Sequence, residues 1–264
     1  MFVLPGFSEF IEKYFEVARD LQSRAFAVVV LDWPGQGRSE RQLKQHPERA
    51  HIRHYAEHVD ALRLAVAAIG REAPKPHLIL AHSMGGCIAL EAIARKRVEV
   101  AGAAFSAPMW GISIFFALRW LVRVLRLIGL GAMPLRGGVA IETFETNVVT
   151  NDRGRWQMQQ DLFRADPRLK LGSPTVGWVV SSLRAIRGLF EHGLGPAERL
   201  PMLVALADDE RVVNKSKEKA LARRLREASV FTVDGAKHEI LMETDARRAE
   251  FWKEFDRFCT RLKV

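Results

Sequence analysis

Ser83, in the run His82-Ser83-Met84-Gly85-Gly86, is placed for nucleophilic chemistry. A serine hydroxyl attacks poorly at neutral pH. It becomes useful when a sharp strand-to-helix turn lifts it from a sheet and aims it at a base. The surrounding residues suit that turn: the apolar run Leu78-Ile79-Leu80-Ala81 precedes it, small residues flank it, and a helix-forming run from Ile88 to Arg95 follows. The pattern small-x-Ser-x-Gly is that of a nucleophile elbow, with Ala81 in place of the usual first glycine.

Such a serine needs a base, an acid to orient the base, and an oxyanion hole, and behind an elbow the chain order is serine, acid, histidine. His238 is the candidate base. It lies after the last predicted strand and before the last predicted helix, in Asp234-Gly235-Ala236-Lys237-His238-Glu239. A lone loop histidine would otherwise be a solvated residue; its place after Ser83 and an acidic loop favours the base. The acid lies in Ala207-Asp208-Asp209-Glu210-Arg211-Val212-Val213. With Ala207 as the turn residue and Val212-Val213 as the following apolar pair, Glu210 fills the acid slot, Asp209 is the runner-up and Asp208 is third. The oxyanion donors are the backbone N–H of Met84 and, in the loop Pro5-Gly6-Phe7, that of Phe7.

Other polar features read as structure. His46, His51, His54 and His58 precede the serine. His54 and His58 are spaced i,i+4, but no further ligand is clearly spaced with them, so a solvated helix face is expected and no metal. The chemistry calls for no cofactor. Asp32 to Ser39 lacks the G-x-G-x-x-G spacing and reads as a tight loop in which Asp32 fixes backbone N–H groups.

The elements that must position these residues alternate. Strands are predicted at Phe2 to Leu4, Ala27 to Leu31, His77 to Ala81, Gly102 to Ser106, Met202 to Ala207 and Ser229 to Val233. Helices are predicted at Phe10 to Ser23, Ile52 to Gly70, Met84 to Arg97, Lys215 to Glu227 and Ala246 to Leu262. This is the signature of an α/β fold, a mostly parallel sheet with helices on both faces. The alternation stops between Met109 and Pro201, where Ser113 to Ile128, Arg155 to Arg164 and Thr175 to Phe190 read as helices. Leu130 to Val139, with its glycines and a proline, reads as a flexible joint. Residues 1–108 and 201–264 therefore form the core, and 109–200 a helical cap.

A chain of 264 residues, 48% hydrophobic and 27% charged, suits one such domain with an insertion. Its two cysteines, Cys87 and Cys259, suggest no disulfide framework and a reducing, cytoplasmic setting, with Cys87 a buried structural thiol. No secretory signal is read at Met1 to Pro5. Gly111 to Leu135 is apolar but broken by Arg119, Arg123 and Arg126, whereas a spanning helix needs about 20 mostly apolar residues. The net charge of +9 raises the question of nucleic acid. No zinc-finger spacing, RNP-like motif or recognition helix supports it. Met109 to Leu200 carries 12 Lys+Arg against 7 Asp+Glu, more than half of the excess. That favours a basic surface near the site entrance, suited to anionic lipid.

The residues resemble the monoacylglycerol lipase and lysophospholipase group of α/β-hydrolases over nearly the whole chain. The carriers are Pro5 to Tyr14, Leu31 to Ser39, Ala81 to Gly86, Ser106-Ala107-Pro108-Met109 and Gly235 to Glu239. The resemblance implies Ser83 as nucleophile, His238 as base, and hydrolysis of a lipid ester. There are three departures: Pro5 stands for the usual histidine of the oxyanion loop, Ala81 for the elbow glycine, and Glu210 for the usual aspartate. The first predicted strand begins at Phe2, so leading strands common in this fold are expected to be missing, either because this version dispenses with them or because the sequence begins late.

Ser113 to Ile128 speaks to substrate. Arg119, Arg123 and Arg126 share one face and apolar residues cover most of the rest. Such a helix either lies in an anionic membrane interface, giving peripheral contact with the inner membrane surface, or packs on its own domain. The function expected is carboxylic-ester hydrolysis through an acyl-serine, on a lysophospholipid or monoacylglycerol. The alternatives are a small-ester hydrolase or peptidase of the same fold, or a non-catalytic lipid-binding protein.

Overall fold

The computed structural model describes residues 1–135 and 143–264. Six parallel strands form one sheet in the order β2-β1-β3-β4-β5-β6. They are β1 Phe2–Leu4, β2 Val29–Val30, β3 Leu78–His82, β4 Gly102–Ser106, β5 Met202–Ala207 and β6 Ala228–Val233. All six predicted strands are present. β1, β3, β4 and β5 are buried along their length. Strands covered on both faces carry continuous apolar runs, which is how these read in the sequence. β2 shrinks to two residues because it lies at the sheet edge and pairs only with the short β1.

Helices cover both faces. On one, α1 (Phe15–Gln22) and α8 (Asp245–Leu262) bring Val17, Leu21, Phe251 and Phe255 into a core with Val3, Leu80 and Ala205. On the other, α2 (Tyr55–Ile69) and α3 (Ser83–Ala94) pack with Phe2, Ile79, Phe105 and Val204. Successive strand residues thus serve opposite cores. Cys87 is fully buried in this second core, as expected.

Between β4 and β5 the described residues contain no strand of the sheet. They form α4 (Phe116–Leu127), α5 (Arg153–Ala165) and α6 (Val176–Glu191); α7 (Lys215–Ala222) follows β5. Asp152 and Thr175 cap α5 and α6 by accepting the N–H groups of Arg155 and Trp178. The expected joint at Leu130 to Val139 lies partly outside the described residues. No helix among the described residues is long and apolar enough to cross a membrane.

The sheet order reverses between β1 and β3. From β1 the chain crosses to β2 on one side, whereas β3 lies on the other and leads to β4. Loops leaving carboxyl ends diverge at such a point and leave a crevice. Pro5-Gly6-Phe7 leaves β1 there, and Ser83 leaves β3 beside it.

His58 departs from the expected solvated face. Its ring is fully buried between Trp33 and Tyr55, with centroids at 5.9 and 6.0 Å. His54 is the extended N-cap residue of α2, outside the helix, so the i,i+4 spacing does not stack the two rings. Among the described residues no cluster of His, Cys, Asp or Glu could hold a metal.

Burial lowers the pKa of His58 to about 4, and those of His51 and His82 likewise. Each ring is neutral in the fold but takes a proton near pH 6.5 or so when unfolded, so stability falls as pH drops from about 6.5 toward 4. Urea titrations at pH 7 and pH 4.5 or thereabouts should show that loss, and His58→Phe should reduce it by about 1–3 kcal/mol.

Candidate active site

Ser83 has φ +48°, in the left-handed region that residues with a side chain rarely adopt. Packing on two sides holds it there. A Cβ on Gly85 would sit 2.6 Å from the Pro5 carbonyl oxygen, and one on Gly86 2.8 Å from Pro108 Cβ. Only glycine lets α3 begin this close to the loops leaving β1 and β4. The Ser83 carbonyl also accepts the Met109 N–H at 2.8 Å.

His238 reaches Ser83 from the β6–α8 loop. The Ser83 hydroxyl lies 2.8 Å from Nε2, and Nδ1 lies 2.7 Å from Glu210 Oε2. With Nδ1–H donating to the carboxylate, Nε2 is free to accept the serine proton. Both side chains are buried, Glu210 completely. The other carboxylate oxygen of Glu210 accepts the N–H groups of Val212 and Val213 at 2.7 and 3.0 Å. Burial pushes the Glu210 carboxyl up; the His238 hydrogen bond, with the two amides, outweighs it and holds the group below its ordinary value. Asp209 pairs instead with Arg211 at 2.7 Å, and Asp208 with Lys215 at 3.1 Å. Of the three carboxylates, Glu210 is the one brought to His238.

Met84 is the second residue of α3, so its N–H is among the helix's first donors, which lack an intrahelical acceptor. The loop after β1 passes close by: a Cβ on Gly6 would lie 3.1 Å from Ser83 Cβ. The Gly6 N–H is committed to Glu9 Oε2, which leaves that of Phe7 as the loop's candidate donor. The Phe7 ring packs on Trp178 of α6 at 4.6 Å. The Asp32–Ser39 loop supports this strand end. Trp33 Nε1–H donates to the Pro5 carbonyl at 2.8 Å, Gln36 Nε2 to that of Gly6 at 2.9 Å, and Asp32 accepts the Ile11 and Arg38 N–H groups at 2.9 Å.

Two supports were not foreseen. The His238 loop is tied to residues 147–151. Val149 O accepts the Glu239 N–H at 2.7 Å, Asn151 Nδ2 donates to Gly235 O and Glu243 Oε1 at 3.1 and 2.7 Å, and Thr150 Oγ1 donates to Met242 O at 2.6 Å. The Asn- and Thr-bearing run Asn147 to Asp152 was the available signal, because such side chains bond backbone groups. The second support is a buried charge cluster of Glu9, Lys13 and Glu239.

The sheet, the elbow and the two-faced helical layers are those of the α/β-hydrolases. Solved structures agree: a soluble variant of monoglyceride lipase from Saccharomyces cerevisiae superposes with TM-score 0.76 at 14% identity, covering 99% of this chain and 87% of that one. The monoacylglycerol lipase of Paleococcus ferrophilus gives 0.77 at 17%, covering 98% and 93%. The family described as Serine aminopeptidase, S33 (Hydrolase_4) matches residues 1–245, and the chain belongs to it. Among named relatives, Lysophospholipase L2 of Escherichia coli (strain K12) is 33% identical over 268 residues, covering 94% of this chain and 76% of that protein. Monoacylglycerol lipase of Mycolicibacterium smegmatis is 27% identical over 251 residues, covering 92% and 81%. The chain is an ester hydrolase of this group.

With p-nitrophenyl esters, Glu210→Gln should lower kcat by about 10²–10⁴-fold, while Asp209→Asn stays near wild type. Loss of activity in Asp209→Asn alone would reverse the choice of acid.

Proposed function

We propose that the protein hydrolyses the carboxylic ester of a lysophospholipid or monoacylglycerol through an acyl-serine. The hydrogen-bonded run Ser83–His238–Glu210 carries this reading. His238 Nε2 takes the serine proton as Oγ attacks the ester carbonyl, and Glu210 stabilises the imidazolium. The N–H groups of Met84 and Phe7 receive the oxyanion. Collapse expels the alcohol, protonated by His238; water then cleaves the acyl-serine, with His238 again as base.

Residues 109–200 serve in this reading as a cap that meets lipid. Phe115, Trp120, Leu121, Val124 and Leu127 are exposed, while Val122 is buried. A helix that served only to pack on its own domain would hide more of that surface. Arg123, Arg126, Arg184 and Arg187 line the groove between α4 and α6. Apolar residues immersed below guanidinium groups at phosphate depth is the arrangement of an interfacial helix on an anionic bilayer. The names of the relatives support a lipid ester as substrate.

A fluorophosphonate should label the wild type and leave Ser83→Ala unlabelled. An unlabelled wild type ends the catalytic reading in favour of lipid binding alone. Turnover should favour lysophosphatidylcholine or monoacylglycerol over p-nitrophenyl acetate and peptide amides; the reverse order would support a small-ester hydrolase or a peptidase.

The protein should also co-sediment with phosphatidylglycerol vesicles more than with phosphatidylcholine vesicles. That binding should weaken with salt and in Arg123→Gln/Arg184→Gln. No binding at low salt discards the membrane contact.

A further inference from the structure

A fully buried lysine lies beneath the two loops on which the proposed chemistry depends. Lys13 is 1% exposed, and its ammonium sits 2.8 Å from Glu9 Oε1 and 2.6 Å from Glu239 Oε1. Glu9 turns its other oxygen to the Gly6 N–H and, at 2.5 Å, to the Tyr14 hydroxyl. Gly6 belongs to the loop that carries Phe7, and Glu239 adjoins His238. His82, next to Ser83, faces Glu9 Oε1 at 3.9 Å, and its ring packs on that of His238 with centroids at 4.9 Å. One cation thus touches the carboxylate that holds the oxyanion loop and the carboxylate that follows the base.

Net stability is a poor reason for such a cluster. Desolvating three charges costs several kcal/mol or more per ion, and an apolar replacement of equal volume is often as stable or better. What the bridge does supply is a fixed separation between the two loops, through Lys13 and Glu239, which are 226 residues apart in sequence. Burial opposes every charge here, yet the field of Lys13, with the hydrogen bonds from Lys13 and Tyr14, holds Glu9 down at about 2, and the two carboxylates keep the Lys13 ammonium above its ordinary range.

We infer that Lys13 is a positioning residue. By bridging Glu9 and Glu239 it sets the distance between the oxyanion loop Gly6-Phe7 and the imidazole of His238. With the Gly6 N–H drawn back to Glu9, the Phe7 N–H is left for the oxyanion. Without Lys13 the two carboxylates face each other unshielded, and the loops lose their common anchor. This inference rests on the Ser83–His238 reading above.

The contact matters most in the tetrahedral transition state, when the oxyanion and the imidazolium are both present, so the effect falls on kcat and not on KM. The test compares Lys13→Met, which keeps most of the stem and removes the charge, with Lys13→Arg. Both are measured with a p-nitrophenyl ester and normalised to the folded fraction from circular dichroism. Lys13→Met should lose about 10–100-fold in kcat with KM within about threefold, and an alkyl boronic acid, which forms a tetrahedral adduct on the serine, should bind more weakly by a similar factor. Lys13→Arg should recover most of kcat. A purely structural role would lower the melting temperature and leave kcat per folded molecule near wild type; that result, or a loss confined to KM, overturns the inference. Should Lys13→Met fail to fold, Lys13→Met/Glu239→Gln, which removes one charge of each sign, is judged by the same criteria. Ser83→Ala is run in parallel. Turnover surviving there defeats the serine reading itself, whereas an inactive Ser83→Ala beside a fully active Lys13→Met defeats only the role of Lys13.

Discussion

A serine at φ +48° is held there by its neighbours and not by its own preference. The neighbours are the Pro5 carbonyl against Gly85 and the Pro108 ring against Gly86, approaches that any Cβ would obstruct. They bring the start of α3 against the carboxyl ends of β1 and β4. The same contact that forces the serine out of the sheet sets the helix's first N–H groups beside it, where the positive end of the helix dipole favours negative charge. The elbow geometry and the amide dipoles beside the serine therefore follow from one packing constraint.

The other charged groups are fitted around that point. Glu210 has both oxygens committed, one to two backbone amides and one to His238. It can rotate very little without breaking a bond, so the extra methylene that separates it from an aspartate does not loosen it. The imidazole is bounded in turn by Glu210, Ser83 and the His82 ring. Its orientation is over-determined before any substrate arrives, which is the condition for electrostatic preorganisation.

The strands were legible because buried parallel strands are written as short apolar runs between turn residues, from Phe2 to Val233. That Ser83, Glu210 and His238 meet was legible because each follows a strand end, in the order serine, acid, histidine. The charge cluster was not. Glu9 and Lys13 are spaced i,i+4, which on most helices is a solvated pair, and the partner that makes them a buried site, Glu239, lies at the far end of the chain. The burial of His58 is hidden from the sequence for a related reason. His54 sits outside α2 as its cap, so the i,i+4 spacing marks no shared helix face, and the apolar wall of Trp33 and Tyr55 is a tertiary fact.

The ties between residues 147–151 and the His238 loop bear on how this chain can be re-engineered. An insertion between two strands invites treatment as an exchangeable cassette, to be swapped for another substrate preference. Here the cassette supplies part of the scaffold that seats the imidazole. A chimera cut at the strand ends Ser106 and Met202 would import new helices and discard the contacts that hold the His238 loop. A graft that keeps Asn147 to Asp152 with its native base loop, and exchanges only what lies on either side, respects the unit that the hydrogen bonds define.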